Sequence, residues 1–158
     1  MARRVHSDKE YRFKVNLRGA KRIWRLIVMR GDQTLDDLHE AIFGAFDRFD
    51  SHLYSFYFPK APRRRSPAGP IPREYAAPLM VEGPDPFGTE RRFNAARTRL
   101  DILGLQVGQQ FEYLFDFGDS WWHEVTVEQI GPVVSGRRYP EIVEKHGRSP
   151  AQYGRAEA

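Results

Sequence analysis

The stretch FEYLFDFGDSWWHEVTVEQI, residues 111–130, reads as two strands and the turn between them. Phe111, Tyr113, Phe115 and Phe117 recur at every second position and face one way, with Glu112, Leu114 and Asp116 on the other side. A period of two marks a half-buried strand. Gly118, Asp119 and Ser120 are turn formers, and WWHEVTVEQI (121–130) returns as the antiparallel partner. The adjacent Trp121 and Trp122 must point to opposite faces, so only one of them can be fully buried. His123 shares parity with Val125 and Val127, which aims it at the core beside Trp121.

Working back along the chain, Tyr11, Phe13, Val15 and Leu17 alternate with Arg12, Lys14, Asn16 and Arg18, a strand with one basic, wet face. Gly19 supplies a turn into IWRLIVM (23–29), a second strand that completes a hairpin. There Trp24, Leu26 and Val28 share one face, while Arg25 interrupts the other. GDQT (31–34) then starts a helix, with Thr34 as N-cap and Asp37 reaching back to it as a capping box. Leu35, Leu38, Ile42, Ala45 and Phe49 recur at helical spacing, and His39 lies at the border of that stripe. HLYSFYF (52–58) reads as a third strand.

Residues 59–86 hold eight of the eleven prolines. Proline lacks the amide donor, so 59–92 reads as a surface insertion outside sheet ladders and helix interiors. TRLDILGL (98–105) reads as a short helix or turn, and after Pro132 the tail reads as a strand plus an extended cover, held by Tyr139, Ile142, Val143 and Tyr153. The expected class is α+β: a mixed β-sheet packed on one main helix, in the order β-β-α-β and then a β-hairpin, for which a β-grasp-like arrangement is one solution. One domain is expected over 8–145, with the Pro-rich insertion at 59–92 and a C-terminal extension at 146–158.

The chain has 158 residues and no cysteine, which excludes disulfides and thiolate zinc sites. No apolar run reaches the roughly 20 residues of a membrane span, and no signal core opens the chain, so a cytoplasmic protein with no membrane partner is expected. The net charge of +4 is unevenly spread. Residues 1–30 carry ten basic side chains against two acidic, and the Pro-rich stretch adds Arg63, Arg64 and Arg65. Basic clusters attract nucleic acid or acidic partners by counterion release, although most such runs are simply solvated.

The densest chemistry is FDFGDSWWH (115–123), which sets Asp116, Asp119 and His123 about one turn. Two carboxylates and an imidazole can hold a divalent metal or form an acid–base pair, with His39 and His52 joining from across the sheet. The competing reading makes His123 a hydrogen-bonded core residue and Asp119 an ordinary turn residue. No Walker loop, HExxH helix or complete kinase set is present, so the Asp116-Phe117-Gly118 triplet carries no weight.

IWRLIV, TLDDLHEAI, HLYSFYF and FEYLFDFGDSWWHEVTVE together resemble the plasmid pRiA4b ORF-3-like family, over most of residues 11–130, and the tail YPEIVEKHGRSPAQY resembles its C-terminal cover. The resemblance maps onto His39, His52, Asp116, Gly118, Asp119, Trp121 and His123. Members commonly carry proline just before the IWR segment, where Lys21 and Arg22 stand here. Some members are described as TnpR-like passengers of the IS1096 mobile element. A resolvase needs an activated serine or a clustered Arg-His-Arg-Tyr site, and Ser66 among the prolines has no evident base. The family implies a mobile-element setting and brings no assigned activity. The expected function is therefore a non-enzymatic binding module that docks a protein or nucleic acid through the 116–123 tip, with Trp121 or Trp122 and the Arg63–Arg65 loop as surface. The alternative is a metal-dependent hydrolase or nuclease using Asp116, Asp119 and His123, with a divalent metal as the cofactor.

Overall fold

The computed structural model describes residues 7–59, 73–81 and 92–153. The basic triplet Arg63–Arg65 lies outside the described residues. Alternation in the first strand is borne out: β1 (Lys9–Leu17) buries Tyr11, Phe13, Val15 and Leu17. It pairs antiparallel with β2 (Ala20–Arg30) through a turn in which Gly19 adopts a φ of 83°, open to glycine at no steric cost. On β2 the core face is the one that carries Arg25, Ile27 and Met29.

Helix α1 (Leu35–Ala45) begins as its sequence requires. The Asp37 amide donates to Thr34 Oγ1 at 3.2 Å, and the Thr34 amide donates to Asp37 Oδ2 at 2.8 Å. Leu35, Leu38, Ile42 and Ala45 are fully buried against the sheet. Each large apolar side chain so buried contributes about 1.5–3 kcal/mol. The helix stops earlier than its apolar stripe suggests. Phe46 caps it, Asp47 turns left-handed at φ 56°, and Phe49 leaves the stripe for solvent.

β3 (Tyr54–Phe58), β6 (Gln110–Phe115) and β7 (Trp121–Pro132) follow, and β6 and β7 form the expected hairpin, from Gln110 opposite Thr126 to Phe115 opposite Trp121. With β4 (Arg73–Ala76), β5 (Arg92–Asn94) and β8 (Glu141–His146) they make one eight-stranded sheet in the order β5-β4-β3-β6-β7-β1-β2-β8. Among the described residues only β4 and β5 pair in parallel, so the sheet is mixed.

Three expectations are corrected. Among the described residues strand predominates over helix, and α1 is joined by a second helix, α2 (Pro78–Val81), and two 3-10 turns at Ala95–Arg97 and Leu100–Ile102. A β-grasp-like sheet, which sets its first and last core strands side by side and parallel, is not formed, because β1 runs antiparallel to its neighbour β7. The 59–92 stretch is not wholly an excursion either. Its proline-free piece Arg73–Ala76 adds to the open edge of β3, and Pro78 opens α2 at the first helical position, where its missing amide costs nothing. The tail lies as expected, with β8 along the edge of β2.

Arg25 ties these parts together. Its Nε donates to the carbonyl of Ala45 at the end of α1 (2.8 Å), and its Nη1 donates to the carbonyls of Trp24, His146 and Gly147 at 2.9–3.0 Å. A cation is favoured at a helix C-terminus, so the guanidinium joins α1 to the end of β8.

Candidate functional site

The candidate residues separate into two clusters on either side of Phe115. One is buried between α1 and the sheet. His123 and Arg48 are 1% and 7% exposed. Arg48 leaves the loop after α1 and lies over the rings of Phe46, Phe115 and Trp121, 5.1–5.2 Å from their centroids. Its Nη2 donates to His123 Nε2 at 2.8 Å. A guanidinium can only donate, so His123 Nε2 accepts and its proton sits on Nδ1, which donates to the Tyr113 carbonyl at 3.3 Å. Burial, and then the charge of Arg48, hold the His123 imidazole well below its ordinary range.

Tyr113 also serves His39. Its hydroxyl lies 2.6 Å from His39 Nδ1. The Glu40 carboxylate, 3.7 Å from Nε2, favours the proton on that nitrogen, so Tyr113 donates and Nδ1 accepts. His39 stacks on Tyr54 at 3.7 Å, and the Tyr54 hydroxyl donates to Asp36. Burial first, and Arg48 second, push His39 down to about 3. The ring is therefore neutral, and its contact with Glu40 is no ion pair. Burial likewise raises the hydroxyls of Tyr54 and Tyr113.

The second cluster is at the surface, where β3 begins and the β6–β7 turn ends. Asp116 adopts φ 62°, tolerated by Asp, and its Oδ1 accepts the amides of Gly118 and Asp119 at 3.0 and 3.3 Å. This kink ends β6 at Phe115 and sends Phe117 out of the core face on which its parity placed it. Asp116 Oδ2 lies 3.5 Å from His52 Nε2. Tyr153, from the C-terminal cover, donates to Asp50 Oδ2 at 2.7 Å and receives His52 Nε2 at 2.5 Å. The bond to Asp50, with burial next and then the nearby charges of Asp50, Asp116 and Asp119, pushes the Tyr153 hydroxyl up to about 12. Gln152 secures the cover by accepting the amides of Phe49 and Asp50 at 3.0 and 3.1 Å.

Asp116, Asp119 and His52 therefore share one neighbourhood, and His39 and His123 share another. Trp121 is buried beneath Arg48, and Trp122 is half-buried on the opposite face of the sheet. The three hairpin groups do not converge on one point. His123 has its ring nitrogens engaged by a guanidinium and a carbonyl, so it offers no lone pair to a metal. Among the described residues no three His, Asp or Glu side chains form a metal-binding group. Arg48, Tyr113 and Tyr153 are not site candidates in the sequence, where Tyr113 reads as a strand position and Tyr153 as a tether of the C-terminal cover. The pairing of an arginine with a buried histidine 75 positions away leaves no local trace.

Residues 9–153 match the family described as plasmid pRiA4b ORF-3-like protein. A similar protein is the uncharacterized protein y4hQ of Sinorhizobium fredii, 31% identical over 131 residues. That alignment takes in 82% of this chain but 58% of y4hQ, so the chain spans less than two thirds of the curated relative's length. Among solved structures, the protein of unknown function MM3350 from Methanosarcina mazei is similar, with a TM-score of 0.72 and 25% identity, covering 91% of this chain and 72% of that one.

Proposed function

We propose that this chain, which belongs to the plasmid pRiA4b ORF-3-like family, is a non-catalytic docking module that holds a protein partner at the hairpin end of its sheet. One observation carries the reading. Phe49, Leu53, Phe117 and Tyr153 are 75%, 43%, 42% and 43% exposed and gather at that end. Phe49 and Tyr153 are in edge contact at 5.9 Å, and the Leu53 carbonyl accepts the Asp116 amide next to Phe117. Exposed apolar side chains gathered in one place mark an interaction surface, and aromatic anchors inside a polar rim are the usual anatomy of a protein interface. The rim here is acidic, formed by exposed Asp50 and Asp119 with the carboxylate of Asp116 buried beneath them. It repels phosphate and favours a partner segment with an apolar anchor flanked by Lys or Arg. A hydrolase on Asp116, Asp119 and His123 draws no support from this geometry, because His123 lies in the core with both ring nitrogens engaged.

Selection of a random peptide library against the native protein, with counter-selection against Phe117→Ser, tests this. The enriched peptides are expected to carry an aromatic or aliphatic residue between basic ones. Their binding should weaken at least tenfold in Phe117→Ser and weaken further as salt rises. No enrichment, or enriched peptides that bind the variant equally well, would contradict the reading.

A further inference from the structure

The face of the sheet opposite α1 is separate from the docking end. Lys14 of β1 and Arg18, in the turn just past its end, lie on that side, and each basic group lies over an indole from a flanking strand. The Arg18 guanidinium is 5.0 Å from the Trp122 ring of β7, and the Lys14 ammonium is 4.8 Å from the Trp24 ring of β2. Tyr57 extends the row beyond Trp122, with ring centroids 5.6 Å apart. Exposed Arg22 lies two residues before Trp24 on the same strand parity. Both indoles are half-buried, and Trp24 is also stacked on His146 of β8, with centroids 5.2 Å and planes 5° apart, so a base reaching Trp24 takes the place of that ring while Trp122 is the more open platform. They stand two strands apart, about 10 Å. Carboxylates flank this row: Glu112 and Glu124 oppose each other across β6 and β7, Glu74 of β4 stands opposite Tyr57 and Glu144 of β8 opposite Leu26, and Arg18 Nη2 donates to Glu112 Oε1 at 3.1 Å. Between them β1 and the start of β2 carry Arg12, Lys14 and Arg22.

Fixed aromatic rings beside cations are what a single strand requires. Bases stack on the rings whatever their identity, and the cations take the phosphates. A duplex keeps its bases stacked inside and cannot use the rings. We propose that this face binds single-stranded nucleic acid, with bases stacked on Trp24 and Trp122 and phosphates on Lys14, Arg18 and Arg22. This site is independent of the protein-docking reading.

Titration of the full chain with labelled oligothymidylate, followed by anisotropy and tryptophan quenching, tests it. Saturable binding is expected at about 50 mM salt, weakening roughly 20-fold by about 200 mM as three phosphate contacts are lost. Trp122→Ala should weaken binding about 5- to 100-fold, with Trp122→Phe restoring much of it because phenylalanine also stacks. Lys14→Gln, a surface change, should lower the salt slope by about one contact without altering the melting temperature. Phe117→Ser should bind normally. The proposal is overturned if no saturable binding occurs at low salt. It is equally overturned if a duplex binds as tightly, or if neutralising Arg63, Arg64 and Arg65 abolishes binding while Trp122→Ala leaves it intact.

Discussion

Replacing Arg48 with alanine is expected to destabilise the protein by about 3–5 kcal/mol. The substitution leaves the buried Nε2 of His123 without its donor, a cost of about 1–3 kcal/mol. It also removes a cation from three aromatic faces, at about 0.5–2 kcal/mol each in a desolvated setting, and it opens a cavity. These losses overlap, so their sum is an upper bound. Arg48→Met separates them. Methionine fills the same aromatic cage with a polarizable side chain but gives His123 no donor, so its cost should be about 2 kcal/mol, roughly half that of alanine. Urea unfolding followed by far-UV circular dichroism measures both, and an alanine variant within 1 kcal/mol of the native protein would mean that the cage contributes little.

Acid is expected to unfold this protein through its two buried histidines before its carboxylates protonate. His39 is held at about 3 in the folded state, and His123 is lowered in the same direction. In the unfolded chain both return to about 6.5. Above pH 6.5 both states are neutral and the histidines add no pH dependence. Below it the unfolded state binds protons that the folded state refuses, so stability falls as pH falls. For His39 this continues until pH reaches about 3. His39, which stays neutral, loses about 2 kcal/mol between pH 7 and pH 5, and His123 adds a loss of the same sign. Carboxylates lose their contribution mainly below about pH 5, so this window isolates the histidines. Arg48 is a second cause of both lowered values, so Arg48→Met should show a smaller acid loss from a lower starting stability. A stability that does not change between pH 7 and 5 would contradict the assignment.

Features set by neighbours in sequence were legible before the structure. The 111–130 hairpin, the Thr34–Asp37 cap and the inward parity of His123 each rest on a period or spacing of a few residues. The four-residue β4 was not legible, because a short strand between prolines is too brief to show a period and gains its ladder only from the edge of β3. Phe49 reads as part of the helix stripe because nothing near it in sequence signals the left-handed turn at Asp47. Asp116 and His123 stand seven positions apart around one turn, yet they part company. The kink at Asp116 faces its carboxylate toward His52, while strand parity drives His123 inward. The partners that decide their chemistry, Arg48 and Tyr153, arrive from distant segments.

The most direct measurement is a long-range nitrogen–proton NMR correlation of the imidazole rings, followed from pH 7.5 to 5. For His123 the expected result is a protonated Nδ1, a bare Nε2 and no titration over that range, the signature of a core histidine bound by Arg48. A proton on Nε2, or a midpoint near 6.5, would return His123 to the set of available acid–base groups and contradict the non-catalytic reading of the hairpin.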